Sequence, residues 1–379
     1  MITKQKLGAL FKDNLVLVIA GILALCSMLL VPPSLDYIDY IDFRVLTLLF
    51  CLMIVVSGFR TTGLFNAISN TLLHKAHSIR QIALVLIGIT FISAMFITND
   101  VALIAFVPLS ILVLKHAFQK MDAPLSDNII ITIIVLQTVA ANLGSMLTPI
   151  GNPQNLYLYS LSNMSLPTFF GYTLPLTILS AFLILISCYV LLPKQAIKAP
   201  DTKAPTLDKQ PLLLHSILFL SCLLTVGHIL SWQILLIFVT IIIFFFQKKL
   251  FATVDYGLLA TFLCFFIFIG NIGELAIIRD FLQGILDGRE ILVSALLSQI
   301  ISNVPASILL SSFTTAYGKI LIGVNVGGLG TLIASLASLI SWRQYNTMKE
   351  ANPSKYFFTF TAINLIFFLI TLAFALIFY

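Results

Sequence analysis

The sequence predicts an all-α polytopic membrane protein built from two inverted-topology repeats, each with a re-entrant helical hairpin and a broken transmembrane helix. Three observations predict it. Of 379 residues 59% are hydrophobic and only 9% charged, with a mean hydropathy of +1.06. A soluble domain carries about 25% charged residues, so most of this chain is solvated by lipid. Apolar runs of roughly 20 residues, or fractions of one, recur along it. Finally, two stretches repeat one another while the charges flanking them fall on opposite sides of the membrane.

The elements follow in order. Within residues 1–40, the apolar run Leu15–Val31 comes after Lys4, Lys6 and Lys12 and lacks an obvious small-residue cleavage site, so it reads as a retained helix rather than a signal peptide. With the N-terminus in the cytoplasm, the loop Pro32–Asp42, with Asp36, Asp39 and Asp42 and no cation, is external. The first repeat and its following span occupy 41–192. Arg60, His74, Lys75, His77 and Arg80 mark an internal stretch, and Lys115 and Lys120 mark another. The apolar residues between must therefore go in and come back, as a hairpin near 81–117 with Thr98, Asn99 and Asp100 at its tip. A broken helix near 127–162 goes outward, and Tyr172–Leu192 returns. Residues 193–210, with Lys194, Lys198, Lys203 and Lys209, are a cytoplasmic linker. A helix pair over 211–250 ends at Lys248 and Lys249. The second repeat covers 251–342, with a hairpin near 291–317 and a broken helix near 319–341. A cytoplasmic loop and a C-terminal transmembrane helix complete the chain over 343–379. Only Arg44, Arg279, Arg289 and Lys319 fall outside, leaving 17 of the 21 Lys and Arg inside. This is the positive-inside bias, and it predicts an N-terminus in the cytoplasm.

Several function classes are excluded. The net charge of +6 is spread over short loops and implies no nucleic acid partner. The five cysteines lie in apolar runs without metal-ligand spacing. No Walker, HExxH or GxSxG pattern occurs, so an ATP-driven pump or an intramembrane hydrolase lacks its chemistry. The chain is read as no enzyme, with no cofactor beyond a coupling ion, Na⁺ or H⁺.

The repeat is legible at three places. "IDFRVLTLLFCLMIVVSG" from Ile41 parallels "VDYGLLATFLCFFIFIGN" from Val254. "ITNDVALIAFVPL" from Ile97 parallels "ISNVPASILLSSF" from Ile301. "ANLGSMLTPIGNPQNLY" from Ala141 parallels "VNVGGLGTLIASLASLI" from Val324, with Asn142/Asn325, Gly144/Gly327 and Thr148/Thr331 coinciding. Inverted repeats with broken spans point to a secondary transporter whose site lies at the bilayer midplane.

The broken segments suggest what that site holds. A helix interrupted at depth leaves unpaired N–H groups at one half's start and unpaired C=O groups at the other half's end. The first attract an anion and the second a small cation. Uncharged amides and hydroxyls complete either shell without burying a charge. Asn142, Gly144, Thr148, Pro149, Gly151, Asn152, Pro153, Gln154 and Asn155 supply them in repeat one. Asn325, Gly327, Thr331 and Ser335, with Ser338, do so in repeat two. Helix–helix packing is the alternative role for Gly327, Gly328, Gly330 and Ser338. At the hairpin tips, Thr98 and Asn99 match Ser302 and Asn303, an Asn preceded by a hydroxyl in each repeat. Asp100 is the one acidic residue deep in an apolar segment, either the coupling residue or a neutral cap of the hairpin's second arm; repeat two has Val304 there.

These motifs resemble the ion transporter superfamily, and most closely its small bacterial anion-permease and citrate-transporter-like members. That superfamily includes divalent-anion/sodium symporters, arsenite efflux permeases and a group of sodium–proton antiporters. The resemblance covers nearly the whole chain, and "TPIGNPQN" is its most specific part. It implies a homodimer in the lipid bilayer of the bacterial cytoplasmic (inner) membrane, with a transport domain that rides on a scaffold. In the anion/sodium symporters each tip carries Ser-Asn-Thr, which helps bind sodium and the substrate. Here the matching positions are Thr98-Asn99-Asp100 and Ser302-Asn303-Val304, without the third Thr, and the resemblance implies Na⁺ at Thr98, Asn99, Ser302 and Asn303. Asn-Asp at a tip is more similar to the arsenite permeases and the antiporters. The expectation is an ion-coupled secondary active transporter of a small organic or inorganic anion. The alternative is a sodium–proton antiporter or an arsenite/metalloid oxyanion efflux permease.

Overall fold

The computed structural model describes residues 15–73, 76–119, 126–196 and 207–379. The basic N-terminal segment, His74, Lys75, Lys120 and the middle of the linker lie outside them. Among the described residues the chain is all-α and polytopic, with nine helices long and apolar enough to cross a membrane.

Helix α1 (Leu15–Met28) has 14 described residues, about 21 Å of helix. A short 3₁₀ turn (Leu35–Ile38) leads to α2 (Phe43–Thr61), whose start is fixed because the Asp42 carboxylate accepts from the Val45 N–H at 2.9 Å. The same device opens α11 (Tyr256–Gly273), where Asp255 accepts from Leu258 at 2.9 Å. These are the two "D" positions of the first internal match, and each satisfies an otherwise orphaned helix N-terminus. Each helix is followed by a shorter one, α3 (Leu64–Leu73) after α2 and α12 (Ala276–Leu286) after α11. Neither short helix was expected, because the loop-charge argument sees only cations and carboxylates.

Helices α9 (Lys209–Val226) and α10 (Trp232–Gln247) pack on α2. Arg44, just inside α2, donates to the Thr225 carbonyl at 2.9 Å, setting a cation on the C-terminal end of α9.

The remaining helices surround the centre. They are α4 (Ile79–Ile97), α5 (Asn99–Gln119), α6 (Asp127–Ser145), α7 (Pro153–Ser162), α8 (Leu166–Leu191), α13 (Glu290–Ile301), α14 (Asn303–Ser311), α15 (Tyr317–Gly327), α16 (Leu336–Asn346) and α17 (Pro353–Phe378). Contacts fix their directions. Gln137 donates to Thr90 at 3.0 Å, and Thr148 to the Met95 carbonyl, so α4 and α6 run parallel. Thr138 donates to Ser341 at 2.7 Å and Ser335 to Asn142 at 3.0 Å, so α16 runs against α6. Asn99 meets Asn142, while Lys115 pairs with Glu350 at 3.5 Å beyond the end of α16. Helix α5 therefore returns antiparallel to α4. The chain turns at Thr98, whose φ of 68° is a left-handed value that a β-branched residue rarely adopts.

The pair α13–α14 turns in the same way at Ser302, with φ 76°. Gly323 lies against Ser294 and Gly327 against Ser298, so α13 and α15 run parallel as α4 and α6 do. Glu290, Ser311, Tyr317 and Leu161 surround one cavity, which puts both free ends of α13–α14 at that end of the molecule. The free ends of α4–α5 lie at the other, where Arg80 donates to the Leu192 carbonyl at 2.9 Å and Lys115 meets Glu350. Close approach explains two glycines. A Cβ on Gly144 would stand 2.2 Å from the Phe91 carbonyl oxygen, and one on Gly327 would stand 2.6 Å from the Ser298 Cβ.

Candidate functional site

Four helix starts meet between the two ends: α5 at Asn99, α7 at Pro153, α14 at Asn303 and α16 at Leu336. Opposite them lie the ends of α4, α6, α13 and α15. Each tip is tied to a broken loop by the same backbone bond. The Asn99 N–H donates to the Gly151 carbonyl at 3.1 Å, and the Asn303 N–H to the Ala334 carbonyl at 2.9 Å. The hydroxyls repeat the pattern, Thr148 donating to the Met95 carbonyl and Thr331 to the Gln299 carbonyl.

Buried amides fill the space between. Asn142 Oδ1 accepts from Asn99 Nδ2 at 3.1 Å and from the Ser335 hydroxyl at 3.0 Å, and Asn142 Nδ2 donates to the Gly328 carbonyl at 3.2 Å. Its counterpart Asn325 accepts from Asn152 at 3.0 Å and donates to Asn155 Oδ1 at 2.7 Å. The two are crossed: the loop of one half holds the asparagine of the other. Asn152 also caps α7, accepting from the Asn155 N–H at 2.9 Å, and Pro153 takes the first helical turn, where no N–H is needed. Pro149 and Gly151 lie buried in the loop between α6 and α7. A Cβ on Gly151 would stand 2.0 Å from the Ser145 carbonyl oxygen.

Other expected residues stand differently. Ser302 donates to the Ala334 carbonyl at 3.3 Å. The Asn303 amide is buried beside Gly328 and has no hydrogen-bond partner among the described residues, and neither does the buried amide of Gln154. Thr98 and Thr148 are half-buried, and Thr331 is exposed, with its hydroxyl turned to Gln299. Asp100, in the first turn of α5, is half-buried, and its carboxylate accepts no hydrogen bond among the described residues; its own N–H goes to Asn99 Oδ1 at 3.0 Å. Ser338 is fully buried, its hydroxyl without a partner among the described residues.

Sequence reasoning missed Gln299. It stands in the apolar first arm of the second hairpin, donating to the Gly327 and Leu329 carbonyls at 2.9 Å each and accepting from the Thr331 N–H at 2.9 Å. An uncharged amide four residues before a tip was the available signal. It also missed a cluster on the Lys115–Glu350 side, where Ser341 accepts from Thr138 at 2.7 Å and from Tyr356 at 3.1 Å.

Two cavities open at the end marked by Glu290 and Ser311. One of about 750 Å³ carries Asp287 and Glu290, and one of about 360 Å³ carries Asp42 and Glu274; both reach Leu161 and Ser312. Lys319 pairs with Glu290 at 3.9 Å. Neither lining includes the hairpin tips.

Comparison with known proteins gives concordant relatives. The citrate transporter family profile matches residues 7–319. An uncharacterized transporter of Methanocaldococcus jannaschii is 34% identical over 329 residues, covering 86% of this chain and 87% of that protein. An inner membrane protein of Escherichia coli is 29% identical over 314 residues, 81% of each chain. A silicon efflux transporter of Oryza sativa subsp. japonica is 29% identical over 135 residues, 36% of this chain and 26% of that protein.

Proposed function

The chain belongs to the citrate transporter family, and on that footing we propose that it is an ion-coupled secondary active transporter that moves a small organic or inorganic anion by alternating access, coupled to Na⁺ or H⁺. That it is a transporter, an integral membrane protein and no enzyme follows from the family and its relatives. The observation that carries the finer reading is the meeting of four helix starts in a buried centre furnished with amides and hydroxyls. Each start is worth about half a positive charge and each of the four helix ends opposite about half a negative one, so an anion would lie on the side of the starts, held by their N–H groups and the buried amides without a cationic side chain. Asn99, Asn142, Asn303, Asn325 and Ser335 would orient it. The paired bonds of Asn99 to Gly151 and Asn303 to Ala334 support reading the two halves as inverted repeats, with α4–α5 and α13–α14 as re-entrant hairpins.

In this reading the Lys115–Glu350 end faces the cytoplasm of a bacterial cell, the acid-lined cavities face outside, and the protein works as a homodimer. The second reading, sodium–proton antiport or oxyanion efflux, is favoured by Asp100, a carboxylate with no hydrogen bond beside the centre, and by the four acids around the outer cavities, which draw cations rather than anions. The silicon efflux relative extends the efflux panel to silicate.

The test is uptake of labelled citrate, succinate, sulfate, arsenite and silicate into liposomes, with imposed sodium or proton gradients. Saturable, gradient-driven flux of one of the anions is expected. Sodium-linked proton movement with no anion present would establish the second reading instead.

A further inference from the structure

The carbonyls that end a broken helix are the places where such a site holds a cation. Here each set is already occupied. Asn155 Nδ2 stands among three carbonyls of the α6 break, at 3.3 Å from Ser145, 3.0 Å from Met146 and 3.0 Å from Thr148. Gln299 Nε2 stands at two carbonyls of the α15 break, 2.9 Å from Gly327 and 2.9 Å from Leu329, and at 3.2 Å from Ala295 one turn earlier in its own helix. The orientation of each amide is fixed by its other end. Asn155 Oδ1 accepts from Asn325 Nδ2 at 2.7 Å, and Gln299 Oε1 accepts from the Thr331 N–H at 2.9 Å. A flipped amide would aim oxygen at oxygen.

The two halves reach this arrangement by different routes. By the internal match, Asn155 corresponds to Ser338 and Gln299 to Met95. One amide comes from the broken helix and the other from a hairpin arm, yet both nitrogens sit at a helix's carbonyl end. Three further side-chain oxygens nearby are committed: Asn142 Oδ1 accepts twice, Asn325 Oδ1 accepts from Asn152, and Asn99 Oδ1 accepts from the Asp100 N–H, whereas the Asn303 and Gln154 amides and the Asp100 carboxylate hold no side-chain hydrogen bond among the described residues. Sodium, a hard cation of calcium's size, needs several oxygens at about 2.3–2.6 Å. At each break the carbonyls that could supply them surround an N–H₂ group instead.

We propose that the Asn155 and Gln299 amide nitrogens fill the two cation positions at the broken ends of α6 and α15, so that sodium has no site there and the proton is the coupling ion. This rests on reading the chain as an ion-coupled transporter and chooses between its two candidate ions. Asp100 is then the group that takes the proton. It is the one acid in its own helix, half-buried beside the centre, and its carboxylate accepts no hydrogen bond among the described residues.

The experiment is thermal unfolding of the purified full-length protein in sodium chloride against N-methylglucamine chloride at equal ionic strength. A bound ion raises Tm by mass action. The wild type is expected to melt at the same temperature in both salts. Asn155→Ser and Gln299→Met, which put at each position its counterpart from the other half, free the carbonyls and are expected to gain a sodium-specific rise. A sodium-specific rise in the wild type overturns the proposal, and that measurement stands even if the variants do not fold. Gradient-driven proton movement in sodium-free liposomes tests the transporter reading separately. Silence there, with no flux of any labelled anion, would count against that reading, whereas sodium-dependent melting would count against the amide positions alone.

Discussion

Asn142 makes three hydrogen bonds, with Asn99, Ser335 and the Gly328 carbonyl, and so ties a hairpin tip, a helix start and the opposite broken loop to one side chain. Removing it leaves buried partners unsatisfied, at about 1–3 kcal/mol for each group. Asn142→Ala should therefore lower Tm and abolish flux together. Asn99→Ala and Asn303→Ala should abolish flux while the protein still inserts and folds, because the Asn303 amide has no bond to lose among the described residues and Asn99 gives up two, one to Asn142 and one from the Asp100 N–H. Thr98 behaves in the opposite way. Its φ of 68° costs of order 1–3 kcal/mol for a non-glycine residue, so Thr98→Gly should hold or raise Tm, while the loosened tip slows uptake. A fall in Tm would show that the turn is not strained. For Asp100, the substitution Asp100→Asn should flatten the pH dependence of transport, measured as initial uptake rates over a pH series; an unchanged profile would remove Asp100 as the coupling residue.

At the scale of elements, two helix pairs approach as closely as their backbones allow. Gly144→Ala would drive a Cβ into the Phe91 carbonyl, and Gly327→Ala one into Ser298. Each should destabilise by about 1–3 kcal/mol, read as a lower Tm. The proposed entry of the two hairpins from opposite faces of the membrane predicts a labelling pattern. With the native cysteines replaced, cysteines at Lys115 and Gln195 should react with a membrane-impermeant thiol reagent from one side, and cysteines at Asp287 and Tyr317 from the other. Reaction of all four from the same side would remove the inverted arrangement. Much at this scale was legible in sequence because hydropathy and backbone breakers act locally. The spans are long apolar runs, and the chain bends at Thr98 next to Asn99 and Asp100. Helices α3 and α12 were not legible, since each is short and mixed in character and gains its place by lying against longer neighbours.

For the molecule as a whole, the class was readable from composition, because a chain with 9% charge cannot cover a soluble surface. The internal wiring was not. That Asn142 meets Ser335 and Asn325 meets Asn152 depends on how two halves interlock, a contact between residues more than a hundred positions apart that no local pattern encodes. Gln299 was passed over for the same reason: its carbonyl partners lie in another helix and the loop after it. The charge layout belongs to this scale too, with Lys115 and Arg80 at one end and Asp42, Glu274, Asp287 and Glu290 around the cavities at the other. The central claim is that the amide-lined break between the two halves is the transport site. Its most direct test is gradient-driven uptake into liposomes by the wild type and by Asn99→Ala and Asn303→Ala, each checked for folding by its Tm. Saturable uptake in the wild type, lost in both folded variants, is the predicted result. Normal uptake in both, or wild-type flux that neither saturates nor depends on a second ion's gradient, would contradict it.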